Sequence, residues 1–130
     1  PYEATRIDAL GDAMRTRLQA VAAKHDAPMQ VTGVGSLMNI HFSDRPVLGP
    51  RDSHPHDSAR EKLMAAAGKL YHLDMIAARQ YLARRGFIAL SLPMQKPDRD
   101  RFVEATDEFL ATRTPVLRAA FAQLAPASPR

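Results

Sequence analysis

The 130-residue chain contains no cysteine and no tryptophan. Without cysteine there is no disulfide framework, no thiolate nucleophile and no soft sulfur ligand, so packing alone must hold the fold, and a reducing compartment such as the cytoplasm is the expected setting. Aromatic residues make up only 6%. A nucleic-acid surface normally combines clustered cations with aromatic rings for stacking, and the basic residues here are scattered through helix-like segments, so a formal charge of +4 does not argue for nucleic acid. No apolar run approaches the roughly 18 to 20 residues that cross a bilayer. Pro1-Tyr2-Glu3 lacks the basic-then-apolar layout of a signal peptide, so no membrane is expected. None of Ser36, Ser43, Ser53, Ser58 and Ser91 lies in a Gly-x-Ser-x-Gly elbow, which leaves a hydrolase triad without a nucleophile.

What is present is ordinary for a globular domain: 45% hydrophobic and 25% charged residues, in a length that suits one core. From Thr5 to about His25, Ile7, Leu10, Met14, Leu18 and Val21 recur at helical spacing. Thr5 with Asp8 forms a capping start and Pro28 marks the stop. The period then drops to two, with Met38, Ile40 and Phe42 alternating with Asn39, His41 and Ser43, as in a strand with one apolar face. Gly33 and Gly35, just before it, are expected to bend the chain or allow a close backbone approach. Pro46, Gly49, Pro50 and Pro55 make Ser43 to Ser58 a long loop.

Helical spacing returns from Ala59 to about Arg79, with Leu63, Ala66, Leu70, Leu73 and Ala77 as the buried stripe and Arg60, Glu61, Lys69 and Asp74 on the wet side. Tyr81 and Leu82 could form a short strand. The run Phe87 to Leu92, stopped by Pro93, reads as another. Pro97-Asp98 opens a last helix with Phe102, Val103, Thr106, Phe109 and Leu110 inside, interrupted at Thr114-Pro115. The expected fold class is α+β, a small, mainly antiparallel sheet with helices on one face, built from residues 1–113; residues 114–130 form a tail with at most a short helix.

Several residue groups are candidates for chemistry. His54-x-His56-Asp57 offers metal-ligand types, but imidazoles two apart in an extended loop point to opposite sides, and a solvated loop is the plainer reading. Gly33-Val34-Gly35 lacks the third glycine of a dinucleotide loop. Gly68-Lys69 sits in a helical pattern with nothing to cradle a phosphate. Arg84-Arg85-Gly86 lies where one apolar segment gives way to the next. An arginine on such an edge can grip a carboxylate through two parallel hydrogen bonds, although most surface arginines bind nothing specific.

Gln30-Val31-Thr32-Gly33-Val34-Gly35-Ser36-Leu37-Met38-Asn39-Ile40-His41-Phe42 and Arg85-Gly86-Phe87-Ile88-Ala89-Leu90-Ser91-Leu92-Pro93 resemble, in this order, two signature stretches of the C-terminal domain of class III aminotransferases. The nearest likeness is to the β-amino-acid (β-phenylalanine) aminotransferases and the glutamate-1-semialdehyde aminomutases. The resemblance covers about residues 5 to 112. It implies a fold-type I enzyme, working as a dimer, that uses pyridoxal 5'-phosphate to move an amino group between an amino acid and a keto acid. It also implies a large domain upstream of residue 1 carrying the cofactor lysine, because none of Lys24, Lys62, Lys69 and Lys96 lies in the family's lysine motif. This chain alone is then expected neither to catalyse nor to bind the cofactor, and to associate through the apolar surface it would bury against that domain. The alternative is a free-standing binding module of the same fold. By the resemblance, Arg85 binds a substrate carboxylate. Ala83-Arg84 and the loop Leu48 to Ser58 depart from the family pattern.

Overall fold

The computed structural model describes residues 2–34, 37–45, 58–78, 87–89 and 96–124. The elements are α1 (Tyr2–Lys24), β1 (Met29–Val34), β2 (Leu37–Phe42), α2 (Ser58–Ala77), β3 (Phe87–Ala89) and α3 (Lys96–Leu124). The strands form one antiparallel sheet in the order β1-β2-β3. The α+β architecture expected from the sequence is the one found.

Helix α1 starts at Tyr2, so Thr5 lies inside it rather than capping it. It ends before Pro28 through a local device. The Asp26 amide donates to the Ala23 carbonyl at 3.1 Å and the Ala27 amide to the Ala22 carbonyl at 2.9 Å, while Asp26 takes φ 51°. This is the left-handed C-terminal cap usually given to glycine or asparagine. Met14, Leu18 and Val21 are buried as the spacing requires, and Leu10 packs against the same core.

In the hairpin, Met29 pairs with Phe42, Val31 with Ile40 and Gly33 with Met38. Residues paired in an antiparallel ladder share a face, so Met29, Val31, Met38, Ile40 and Phe42, all buried, make one apolar surface. Helices α1 and α2 pack on it. Helix α3 lies against both, and Phe109 reaches the sheet, its ring centroid 5.9 Å from Phe42 and 5.0 Å from Tyr71. The Tyr71 and Thr106 hydroxyls share a 2.8 Å hydrogen bond between α2 and α3. Paired in this way, Tyr71 can sit in the core without an orphaned hydroxyl; burial raises its pKa.

Three expectations need correction. First, the buried stripe of α2 is Ala67, Tyr71 and Met75, while Leu73 is 51% exposed. Apolar residues fall on more than one side of the helix, and the aromatic contacts with Phe42 and Phe109 select the face. Second, Arg60 is buried, at 2% exposure, and ion-paired with Asp44 just beyond β2. Third, Thr114-Pro115 does not interrupt α3, which continues to Leu124. Proline removes one amide donor, leaving the Ala111 carbonyl without its helical partner, but Thr114, Leu117 and Phe121 are buried and hold the second half in place.

Ion pairs fix α1 and the turn after it beside α3, Arg17 with Asp100 at 2.9 Å, Lys24 with Asp107 at 2.9 Å and Asp26 with Arg118, and His25 Nε2 lies 2.5 Å from Asp107 Oδ1 in a hydrogen bond. The pairs advance along both helices together, so the helices run in the same direction. Hydrogen bonds from His25 and then Lys24 hold the Asp107 carboxyl below the usual carboxylate range.

Candidate functional site

The helices occupy one face of the sheet, and the alternation of β1 and β2 assigns the other face to Gln30, Thr32, Asn39 and His41. All four are half-buried. Neither strand contains an aspartate, glutamate, lysine or arginine. A sheet face left in water ordinarily carries some charge; this one carries amides, a hydroxyl and an imidazole, groups that bind directionally and tolerate partial desolvation.

The side chains on this face are ordered by hydrogen bonds. Thr32 Oγ1 and His41 Nε2 lie 3.0 Å apart across the ladder. The Gln30 amide donates to the carbonyls of Ser43, at 3.3 Å, and Arg45. Burial lowers the pKa of His41 from its ordinary 6.5, so its ring is neutral at physiological pH. Among the described residues, its Nδ1 has no partner. At the hairpin end of β1, Gly33 adopts φ 148°, a conformation that side-chain-bearing residues rarely enter.

Strand β3 lies beside β2, with Phe87 opposite Asn39 and Ala89 opposite Leu37. Arg85, the residue singled out for carboxylate binding, falls outside the described residues, as do Arg84, Gly86, Gly35, His54, His56 and Asp57. The remaining candidates are described. Gly68 lies in α2 with open space where a side chain would begin, and Lys69 beside it is exposed. No phosphate cradle surrounds the pair. Lys24 and Lys96 are engaged with Asp107 and Asp100, and Lys62 is exposed on α2.

A cleft of about 610 Å³ opens between the α1–β1 turn, the end of β2 and the second half of α3, lined by Pro28, Gln30, Arg45, Arg118 and Phe121 among others. Its Arg118 is paired with Asp26. Among the described residues no cluster of histidine, aspartate and glutamate could hold a metal ion, and no helix is long and apolar enough to cross a membrane.

The polar face was present in the sequence as the second half of an alternation read for its apolar half. Asn39 and His41 stand between Met38, Ile40 and Phe42. The cross-strand contact with Thr32 depends on the hairpin register, which the alternation alone does not fix.

No protein-family model matches the chain. A β-phenylalanine transaminase of Variovorax paradoxus is 36% identical over 110 residues, 85% of this chain and 24% of that protein. A glutamate-1-semialdehyde 2,1-aminomutase of Anaeromyxobacter dehalogenans is 31% identical over 120 residues, 92% of this chain and 24% of its own length. Among solved structures, the β-phenylalanine aminotransferase of Variovorax paradoxus superposes with a TM-score of 0.75 over 85% of the chain, at 32% identity. An omega-transaminase of Sphaerobacter thermophilus gives 0.65 over 85% of the chain, at 29% identity. The chain thus spans about a quarter of the length of the curated relatives it matches. Its homologues and structural neighbours are class III aminotransferases, and its α+β unit matches a small domain of their structures.

Proposed function

We propose that this chain, a relative of the class III aminotransferases over a quarter of their length, is their small C-terminal domain, which closes over the substrate while the rest of the enzyme holds pyridoxal 5'-phosphate. The observation that carries the reading is the agreement of sequence and fold with β-phenylalanine aminotransferase of Variovorax paradoxus, 36% identity in the sequence comparison and a TM-score of 0.75 in the structural one, each over 85% of the chain. Because the relatives are transaminases and an aminomutase, a free-standing binding module is not favoured.

The intact enzyme would move an amino group between an amino acid, of the β type by its likeness to β-phenylalanine transaminase, and a keto acid. Bound pyridoxal phosphate supplies the electron sink for that chemistry. The lysines of this chain, all among the described residues, do not suit the cofactor itself. Of its lysines, two are tied to aspartates and two stand exposed on α2 without an anion cradle. The large domain therefore supplies the Schiff-base lysine, and the assembled enzyme acts as a cytoplasmic dimer.

In this reading the chain contributes binding and orientation. Arg85 clamps a substrate carboxylate with two parallel hydrogen bonds, a geometry that lysine cannot reproduce. In the sequence Arg85 stands two positions before Phe87, the first residue of β3. In the full-length enzyme, Arg85→Ala is expected to raise KM for the amino acid or the keto acid by about tenfold or more, since a hydrogen bond to a charged group contributes about 1.5–3 kcal/mol. Arg85→Lys should recover only part of the loss. Unchanged kinetics for both substrates would remove the assignment.

A further inference from the structure

We propose that the cleft between the α1–β1 turn, the end of β2 and the second half of α3 binds a small organic carboxylate, held by Arg118 and Arg45 with its apolar body against Pro28 and Ala122. The inference goes beyond the aminotransferase reading and does not depend on it, because every residue it uses belongs to this chain.

Its volume, about 610 Å³, falls in the range of roughly 300–1,000 Å³ that small-molecule clefts occupy. Its charge balance favours an anion. The charged side chains of the lining are Asp26, Asp44, Arg45 and Arg118. Asp44 is neutralised by the buried Arg60, and Asp26 by Arg118. Arg45 is left over. Its amide donates to Ser43 Oγ at 3.1 Å and its carbonyl accepts from the Gln30 side chain, so the backbone beneath it is fixed. Its exposed guanidinium has no partner among the described residues. The cleft therefore carries one positive charge in excess.

Arg118 supplies direction. Only its Nη1 is engaged, with Asp26 Oδ2 and, at 3.5 Å, with the Asp26 carbonyl. Among the described residues nothing meets Nε or Nη2, the two parallel donors that a carboxylate accepts side by side. The wall beside the arginines is apolar: Pro28 and Phe121 are buried at its base, and Ala27 and Ala122 continue it towards solvent. An exposed ion pair alone contributes little, whereas a hydrocarbon group that covers this wall leaves water at the same time. The ligand class is thus a carboxylate with an apolar body, rather than a bare inorganic anion.

The test titrates the 130-residue chain with 3-phenylpropionate, with the uncharged 3-phenylpropan-1-ol and with acetate, and follows backbone amide shifts by NMR. The acid should bind saturably, with a dissociation constant on the order of a millimolar for a ligand of its size, and its largest shifts should fall at Ala27, Gln30, Arg45 and Ala122. The alcohol, which lacks the charge, and acetate, which lacks the apolar body, should each bind at least about tenfold more weakly. Arg118→Gln should weaken the acid about tenfold and Arg45→Gln about threefold, and Arg118→Lys should recover only part of the loss. Asp26→Asn removes the acid that competes for Arg118 and should tighten binding about threefold, a gain that general damage to the fold does not produce. Equal affinity for acid and alcohol overturns the proposal, as do shifts centred elsewhere on the chain or unchanged affinity in both arginine variants. Acetate binding as well as the acid would mean an adventitious ion only, and the proposal falls with it. If Arg118→Gln fails to fold, Arg45→Gln and Asp26→Asn decide the matter by their opposite directions.

Discussion

His41 carries a stability signature that can be measured apart from any catalysis. Burial holds its folded pKa below the ordinary 6.5, so as pH falls the unfolded chain takes up this proton first. Stability linked to the group is fully present above pH 6.5 and declines as pH drops from 6.5 towards the folded pKa. Urea midpoints measured at pH 7.5 and pH 5.5 should therefore fall less for His41→Gln than for the parent chain; an equal fall in both would show that the imidazole is not desolvated on folding. The same residue scale shows how far sequence reading extends. The ordinary rule that charge belongs on the wet side of a helix puts Arg60 in water, yet the residue is buried. Its burial depends on Asp44, sixteen residues earlier and beyond the end of β2, and no local pattern announces a partner at that range.

Among the elements, the legible ones are those whose apolar residues fall on a single stripe. α1 and the first half of α3 bury the side chains their spacing names, from Met14 and Leu18 to Phe109 and Leu110. In α2 two stripes compete, and the ring contacts with Phe42 and Phe109 decide between them. In α3 a proline normally costs a helix interior about 3 kcal/mol, and burial of Leu117 and Phe121 just beyond it opposes that cost. A local rule was outweighed by tertiary packing. The second half of α3 is thus part of the folded unit, and two truncations on it should differ sharply. Phe121→Ala, at a residue 1% exposed, is expected to cost about 3 kcal/mol or more. Val116→Ala, at 62% exposure, should stay within about 0.5 kcal/mol. Urea unfolding compares them, and small, equal effects would return residues 114–124 to the status of a frayed tail.

At the scale of the whole molecule, two surfaces differ in how they meet water. The polar sheet face can be solvated at little cost, because its amides, hydroxyl and imidazole exchange one hydrogen-bonding partner for another. The outer side of α2 differs. Leu73 is 51% and Ile76 38% exposed, three residues apart and so neighbours on one side of the helix, with the exposed Ala77 following. Large apolar side chains left in water favour association with another apolar surface. The isolated chain is expected to self-associate through this strip, with a sedimentation coefficient that rises with concentration. Each leucine or isoleucine removed from water contributes about 1.5–3 kcal/mol, so a Leu73→Glu, Ile76→Lys double variant, placing opposite charges one turn apart, should sediment as a monomer over the same range. Its helix content should match the parent's, since neither side chain belongs to the buried stripe of Ala67, Tyr71 and Met75. A double variant that associates as strongly as the parent would move the contact elsewhere, and the polar face of Gln30, Thr32, Asn39 and His41 would then be the next surface to substitute.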